Sequence, residues 1–167
     1  GPSGGIESHL HIRKNGTVEQ YRAFDREADA QLGANSWVVG EGSNARRLGS
    51  ISVETQGTGT GWWTRKQKAT IKEFLSWAHD ELGIPLDVVR RPNPPRLERG
   101  GVGYHSLFRA WNHLGKSCPG PRRIRWFRRH LVPWMREQRQ VWYTVADSDT
   151  PQRVAEAHDV SVAALWR

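Results

Sequence analysis

Only one cysteine, Cys118, occurs in 167 residues, so no disulfide can form within the chain. No apolar run approaches the ~18–20 residues that a membrane span needs, and no secretory signal is visible. Acidic residues are few beside basic ones, 17 against 25, which leaves a formal net charge of +8 and a pI near 10.4. Such a balance predicts an acidic partner, and nucleic acid, anionic lipid and anionic cell-wall polymer all fit it. The cations concentrate in Arg122-Arg123-Ile124-Arg125-Trp126-Phe127-Arg128-Arg129, where the plainest reading is a solvated helix face. No internal repeat is present. What remains is a globular composition, 37% apolar and 25% charged, in a chain long enough for one ordinary domain with its own core.

The residues with the most chemistry lie in Gly103-Tyr104-His105 and Lys116-Ser117-Cys118-Pro119-Gly120. His105 and Cys118 are donors of the kind zinc prefers. Lys116, two residues before the thiol, carries a charge that can stabilise a thiolate or a developing oxyanion. The Pro-Gly after Cys118 and the Lys before it place the thiol on a loop, which favours a ligand role over core packing.

Along the chain, Leu10 and Ile12 alternate with His9 and His11, and Asn15-Gly16 predicts a two-residue hairpin turn into a return strand carrying Val18, Gln20 and Tyr21. Residues 23–49 have weak periodicity and read as a long surface loop. Ser50 to Glu54 reads as a strand with Ile51 and Val53 on one face and Ser52 and Glu54 on the other. Thr64-Arg65-Lys66-Gln67 has the form of a capping box. Ile71, Phe74, Leu75, Ala78 and Leu82 then recur at helical spacing until Gly83. If that apolar stripe covers Leu10, Ile12, Ile51 and Val53, then His9, His11 and Glu54 share the opposite, open face. Residues 90–99 form a Pro/Arg-rich loop. Pro121 opens a second helix running to about Met135 with an interruption at Pro133. From Val141 the pattern changes to a short strand, Trp142 to Val145, and a helix start at Asp149-Thr150-Pro151. A domain boundary is expected near Gln140.

Taken in order, the stretch His9 to Tyr21 with its Asn-Gly-Thr-Val-Glu turn, Ser50-Ile-Ser-Val-Glu-Thr-Gln-Gly57, Val102-Gly-Tyr-His105 and Lys116-Ser-Cys-Pro-Gly120 resembles the type-2 N-acetylmuramoyl-L-alanine amidases. That family includes bacteriophage endolysins and shares its fold with peptidoglycan-recognition proteins. The resemblance spans about residues 8–130, and its Gly-Tyr-His and Ser-Cys-Pro-Gly are most similar to actinobacteriophage endolysins. It implies an α/β fold, a mixed β-sheet flanked by helices, with a small α+β tail. It also implies zinc-dependent hydrolysis of the amide joining the lactyl group of N-acetylmuramic acid to L-alanine, serving host-cell lysis. By likeness, His105 and Cys118 are zinc ligands, Glu54 is the general base and Lys116 stabilises the oxyanion. His11 and Tyr104 are expected against substrate. The enzyme would be made in the host bacterial cytoplasm and act on peptidoglycan in the wall.

The chain departs from the family pattern in two places. The family's first zinc histidine lies on a strand before the hairpin, and here the chain starts after that point, so the first strand is expected to be missing. His9 aligns beside the site, although its spacing to His11 could coordinate metal. Ser8 stands where a tyrosine is common. Weak zinc binding, or none, is the resulting expectation. Beyond the boundary, Trp142 to Val145, Asp149-Thr150 and Val160 to Leu165 resemble the first half of a LysM glycan-binding module. The expected organisation is therefore a tag or linker over 1–5, an N-terminally incomplete amidase domain over 6–140 and a partial LysM-like segment over 141–167. A linker scar and a native loop both fit Gly1-Pro2-Ser3-Gly4-Gly5. Two other functions compete: a peptidoglycan-binding module without catalysis, and nucleic-acid binding through the basic helix with Trp62, Trp63, Trp126 and Trp134, for which no motif is present.

Overall fold

The computed structural model describes residues 8–26, 28, 50–89, 101–108, 115, 117–138, 149–157 and 161–162, and the backbone of 36–39 and 46–49. A three-stranded sheet carries the chemistry. Strand β1 (Leu10–Ile12) lies between β2 (Val18–Gln20), antiparallel to it, and β5 (Val53–Thr55), parallel to it. Strands β3 (Ser36–Val39) and β4 (Arg46–Gly49) form a separate antiparallel pair inside the segment expected to be loop. Each has only four residues, too few for a period-2 pattern to stand out among Gly, Asn and Ala.

The hairpin turn also differs from expectation. Gly16 N–H donates to Arg13 O at 2.9 Å and Arg13 N–H to Thr17 O at 2.8 Å, so Lys14 and Asn15 occupy the turn's centre. Gly16, at φ +90°, is the extra left-handed residue that follows. A two-residue turn at Asn15-Gly16 would have set Ile12 opposite Glu19. The extra residue moves the register by one and sets His11 opposite Glu19 instead.

Helix α1 (Arg65–Leu82) begins with the capping box read from the sequence. Thr64 Oγ1 accepts from Gln67 N–H at 3.0 Å, while Thr64 N–H donates to Gln67 Oε1 at 3.1 Å. It ends at Gly83, in the left-handed conformation. Thr64 and Thr70 donate to the carbonyls of Lys14 and Gly16, seating the helix's first two turns on the hairpin. Gln67 does more than cap. It is 1% exposed, and its Nε2 donates to Ile12 O at 3.2 Å and to Gln56 O at 3.0 Å, joining the ends of β1 and β5.

The second helical stretch is continuous: α2 (Pro121–Trp126), a π-helical turn over Phe127–Leu131 and α3 (Val132–Gln138). Proline at 133 lacks the N–H that would bond back to Arg129, and the ladder widens to Val132 N–H→Phe127 O just before it. The expected interruption is this wider turn. Trp63, Leu75, Leu86, Trp126, Phe127, Leu131 and Met135 form the core between α1 and this stretch. Trp63 and Trp126 meet edge to face at 5.4 Å and are only 8% and 6% exposed, which removes both from any nucleic-acid surface. Leu82, assigned to the apolar stripe, is exposed instead.

Helix α4 (Pro151–Ala157) starts where the Asp149-Thr150-Pro151 signature placed it, with Thr150 Oγ1 accepting from Arg153 N–H. Residues 90–99 and the expected strand 142–145 lie outside the described residues.

Replacing Gln67 with Leu should remove about 2–4 kcal/mol of stability, because two strand carbonyls and the Thr64 amide lose a buried partner together. Urea unfolding at neutral pH measures it, and a loss below about 0.5 kcal/mol would contradict the node.

Candidate active site

Register builds the open face of the sheet. Leu10 and Ile12 are buried, at 3% and 0% exposure, whereas His11 between them is half-buried and Glu54 is exposed. His11 is paired with Glu19 on β2 and with Glu54 on β5, so the three side chains form a row across the strands. The shared face expected for His11 and Glu54 is therefore present.

His9 is not part of that row. It is 1% exposed, and both ring nitrogens are committed. Nδ1 accepts from Ser52 N–H at 3.0 Å, so in the neutral ring Nε2 carries the proton and donates to Arg26 O at 2.8 Å. No lone pair is left for a metal, which corrects the expectation that His9 is a ligand. Its ring instead ties β1 to the segment leading into β5. Burial lowers its pKa, and nearby Arg22 adds to that effect against the Arg26 hydrogen bond.

His11 behaves oppositely. Its Nδ1 lies 3.2 Å from Glu19 Oε2. Glu19 also receives Arg13 Nη2 at 2.5 Å and the Tyr21 hydroxyl at 3.1 Å. These donors, Arg13 first and His11 next, hold the Glu19 carboxyl down at about 2.

On the other flank the loop before α2 is docked onto the exit of β5. Arg123, 4% exposed, donates to Thr55 Oγ1 at 3.1 Å and to Gln56 O at 3.4 Å, and its guanidinium lies 5.7 Å from the Trp63 ring centroid. Burial lowers its pKa, opposed by the charges of Cys118 and Glu54. One member of the basic run is thus structural rather than solvated. Gly120, at φ +101°, packs so closely on Gly59 that any Cβ would collide with the Gly59 carbonyl. Gly57 leaves room for Arg123 in the same way.

His105 opens a single 3₁₀ turn, His105–Leu107, just after the parallel bridge of Val102 with Val88. The next residue, Ser106, donates its N–H to Cys118 O at 3.0 Å. The histidine and cysteine segments are therefore backbone neighbours, and both side chains are half-buried. Lys116 lies outside the described residues.

Tyr104 faces the helices. Its hydroxyl accepts from Arg128 Nη2 at 2.7 Å, its ring meets Phe127 edge-on at 5.3 Å, and it packs against the core. With Val88, Leu107, Phe127, Arg128 and Val132 it lines a cavity of about 310 Å³. Tyr104, expected against substrate, is thus held by Arg128 and Phe127 at the edge of this cavity.

A catalytic zinc needs three protein donors with a fourth position open. His105 and Cys118 supply two of the right chemistry. Among the described residues no group of three His, Cys, Asp or Glu side chains could hold a metal ion, so these residues do not complete a zinc site. Two contributors were missed in the sequence, Glu19 and Arg123. Glu19 became visible only through the shifted hairpin register, and Arg123 was masked by the charged residues around it.

The family profile for N-acetylmuramoyl-L-alanine amidase (Amidase_2) matches residues 2–121, and the chain belongs to that family. The three-stranded mixed sheet with its flanking helices agrees with the membership. No curated protein and no solved structure matches the chain.

Two tests follow. A folded-state pKa below 6.5 at His9 means that the unfolded chain binds the proton first. Its stabilisation is complete above pH 6.5 and is lost as pH falls through the folded pKa. Glu19 acts in a separate window, losing its contribution between 4.5 and about 2. Wild type should therefore lose more stability between pH 7.5 and 5.5 than His9→Gln, read by denaturant midpoints. Equal slopes would contradict the neutral buried ring. Separately, Gly120→Ala should cost about 2 kcal/mol or more through overpacking and strain at positive φ.

Proposed function

We propose that the chain is a cell-wall amidase of the bacteriophage endolysin type, cleaving the bond between the lactyl carbonyl of N-acetylmuramic acid and the L-alanine nitrogen. The observation that carries this reading is one juxtaposition. Glu54 stands on the open face of β5, Arg123 from the helix after the Cys118 loop bonds the two residues after Glu54, and Ser106 N–H bonds Cys118 O beside His105. Family membership supplies the reaction class.

In this reading Glu54 takes a proton from the attacking water and delivers it to the departing amine. Glu54 is exposed on β5, and Arg123 is bonded to the two residues that follow it, so the carboxylate is open to an incoming water. Lys116 is assigned the oxyanion that develops on the lactyl carbonyl. The proposed metal is zinc, held by His105, Cys118 and a donor outside the described residues. The enzyme would be made in the host cytoplasm and act on the wall, and the LysM-like segment over 141–167 would hold glycan. The net charge of +8 favours encounter with an acidic polymer.

A second reading has its own support. Because no three-donor group is found among the described residues, a module that holds the stem peptide without cutting it also fits. Release of free stem peptide from purified sacculi separates the two, since only the amidase produces new N-terminal alanine. On the amidase reading, Glu54→Gln lowers kcat by about 10²–10⁴-fold with little change in KM. Cys118→Ser together with metal stripping should abolish release. Undiminished release by Glu54→Gln would end the assignment of the base.

A further inference from the structure

The mechanism above leaves unused the constellation on the hairpin next to it. Glu19 is fully engaged: Oε1 receives Arg13, and Oε2 receives both His11 Nδ1 and the Tyr21 hydroxyl. The Tyr21 ring also lies nearly parallel to the imidazole, at 13° and 6.3 Å. Exposed ion pairs of this kind add little to stability, so folding alone gives weak reason to spend three side chains on one imidazole.

The arrangement does define a proton. With its pKa at about 2, Glu19 is an anion that can only accept. Nδ1 of His11 is therefore the protonated nitrogen, and in the neutral ring Nε2 presents a lone pair. Among the described residues nothing bonds to Nε2. His9, two residues earlier on the same strand, holds the other tautomer with both nitrogens satisfied. The chain thus stores one histidine as structure and presents the next as an acceptor. Its place matters too: β1 lies about 4.8 Å from β5. His11, in register with Glu54, therefore flanks the proposed base on the side towards β2.

We infer that His11, held in the Nδ1–H tautomer by Glu19, accepts a hydrogen bond at Nε2 from an amide N–H or hydroxyl of the bound muropeptide. His11 would then touch substrate, and Glu19 is a positioning residue acting through it. Tyr21, whose phenol is kept protonated by desolvation and by its bond to Glu19, keeps the ring plane and the carboxylate aligned. The inference rests on the amidase reading and adds to it a specificity contact on one flank.

The test uses the full chain labelled with ¹⁵N-histidine. Two-bond ¹H–¹⁵N correlations should show His11 with Nδ1 protonated and Nε2 bare. Glu19→Gln, which can donate as well as accept, should give a tautomer mixture. Adding muramyl dipeptide should move the His11 Nε2 resonance of the wild type. In hydrolysis of soluble muropeptide, His11→Phe should raise KM about five- to tenfold with kcat nearly unchanged, the loss of one hydrogen bond. Glu19→Gln should shift KM in the same direction by less. An Nε2–H tautomer in wild type, or cleavage with unchanged KM in His11→Phe, overturns this inference alone. Absence of both cleavage and any shift with muramyl dipeptide overturns it together with the amidase reading.

Discussion

The buried side-chain amide of Gln67 ties both parallel strands to the first helix, and the open face of the sheet is aligned through it. Four groups meet at it or one bond away: the end of β1 through Ile12, the end of β5 through Gln56, the start of α1 through Thr64, and α2 through Arg123. Thr55 closes the ring by accepting from both the Trp63 indole and Arg123. Strands of three residues have little stability of their own, and buried carbonyls without partners would be costly. Satisfying them from a helix cap fixes the parallel register of β1 and β5, and with it the alignment of His11 with Glu54. The node is polar because its job is positional, and the apolar core nearby supplies most of the burial.

Arg123 extends the same logic to the loop that carries Cys118. Its guanidinium crosses from α2 to the exit of β5, and the glycines at 57 and 120 allow the close approach. Burial there lowers its pKa, and the charges of Cys118 and Glu54 oppose that lowering.

The two hairpin histidines show how neighbouring residues of one type acquire opposite uses. A backbone N–H aimed at Nδ1 makes His9 a bridging group, and a carboxylate aimed at Nδ1 makes His11 an outward acceptor. Nothing in the residue type distinguishes them. Partner and tautomer do.

The sequence by itself determined the local features: the cap and end of α1, the alternation that buries Leu10 and Ile12, the face that Glu54 shares with His11, and the start of α4. Each is set by residues within a few positions of one another, where propensity and periodicity act directly. It also carried the ordered motifs that mark the amidase family. The burial of Arg123, the saturation of His9 and the inward turn of Tyr104 came from tertiary contacts, and the hairpin register from a turn geometry that its residue types do not single out. For those three side chains the deciding partner is set by packing and register rather than by a local motif. One extra turn residue moves Glu19 opposite His11, and Ser52, 43 positions away, claims the free nitrogen of His9.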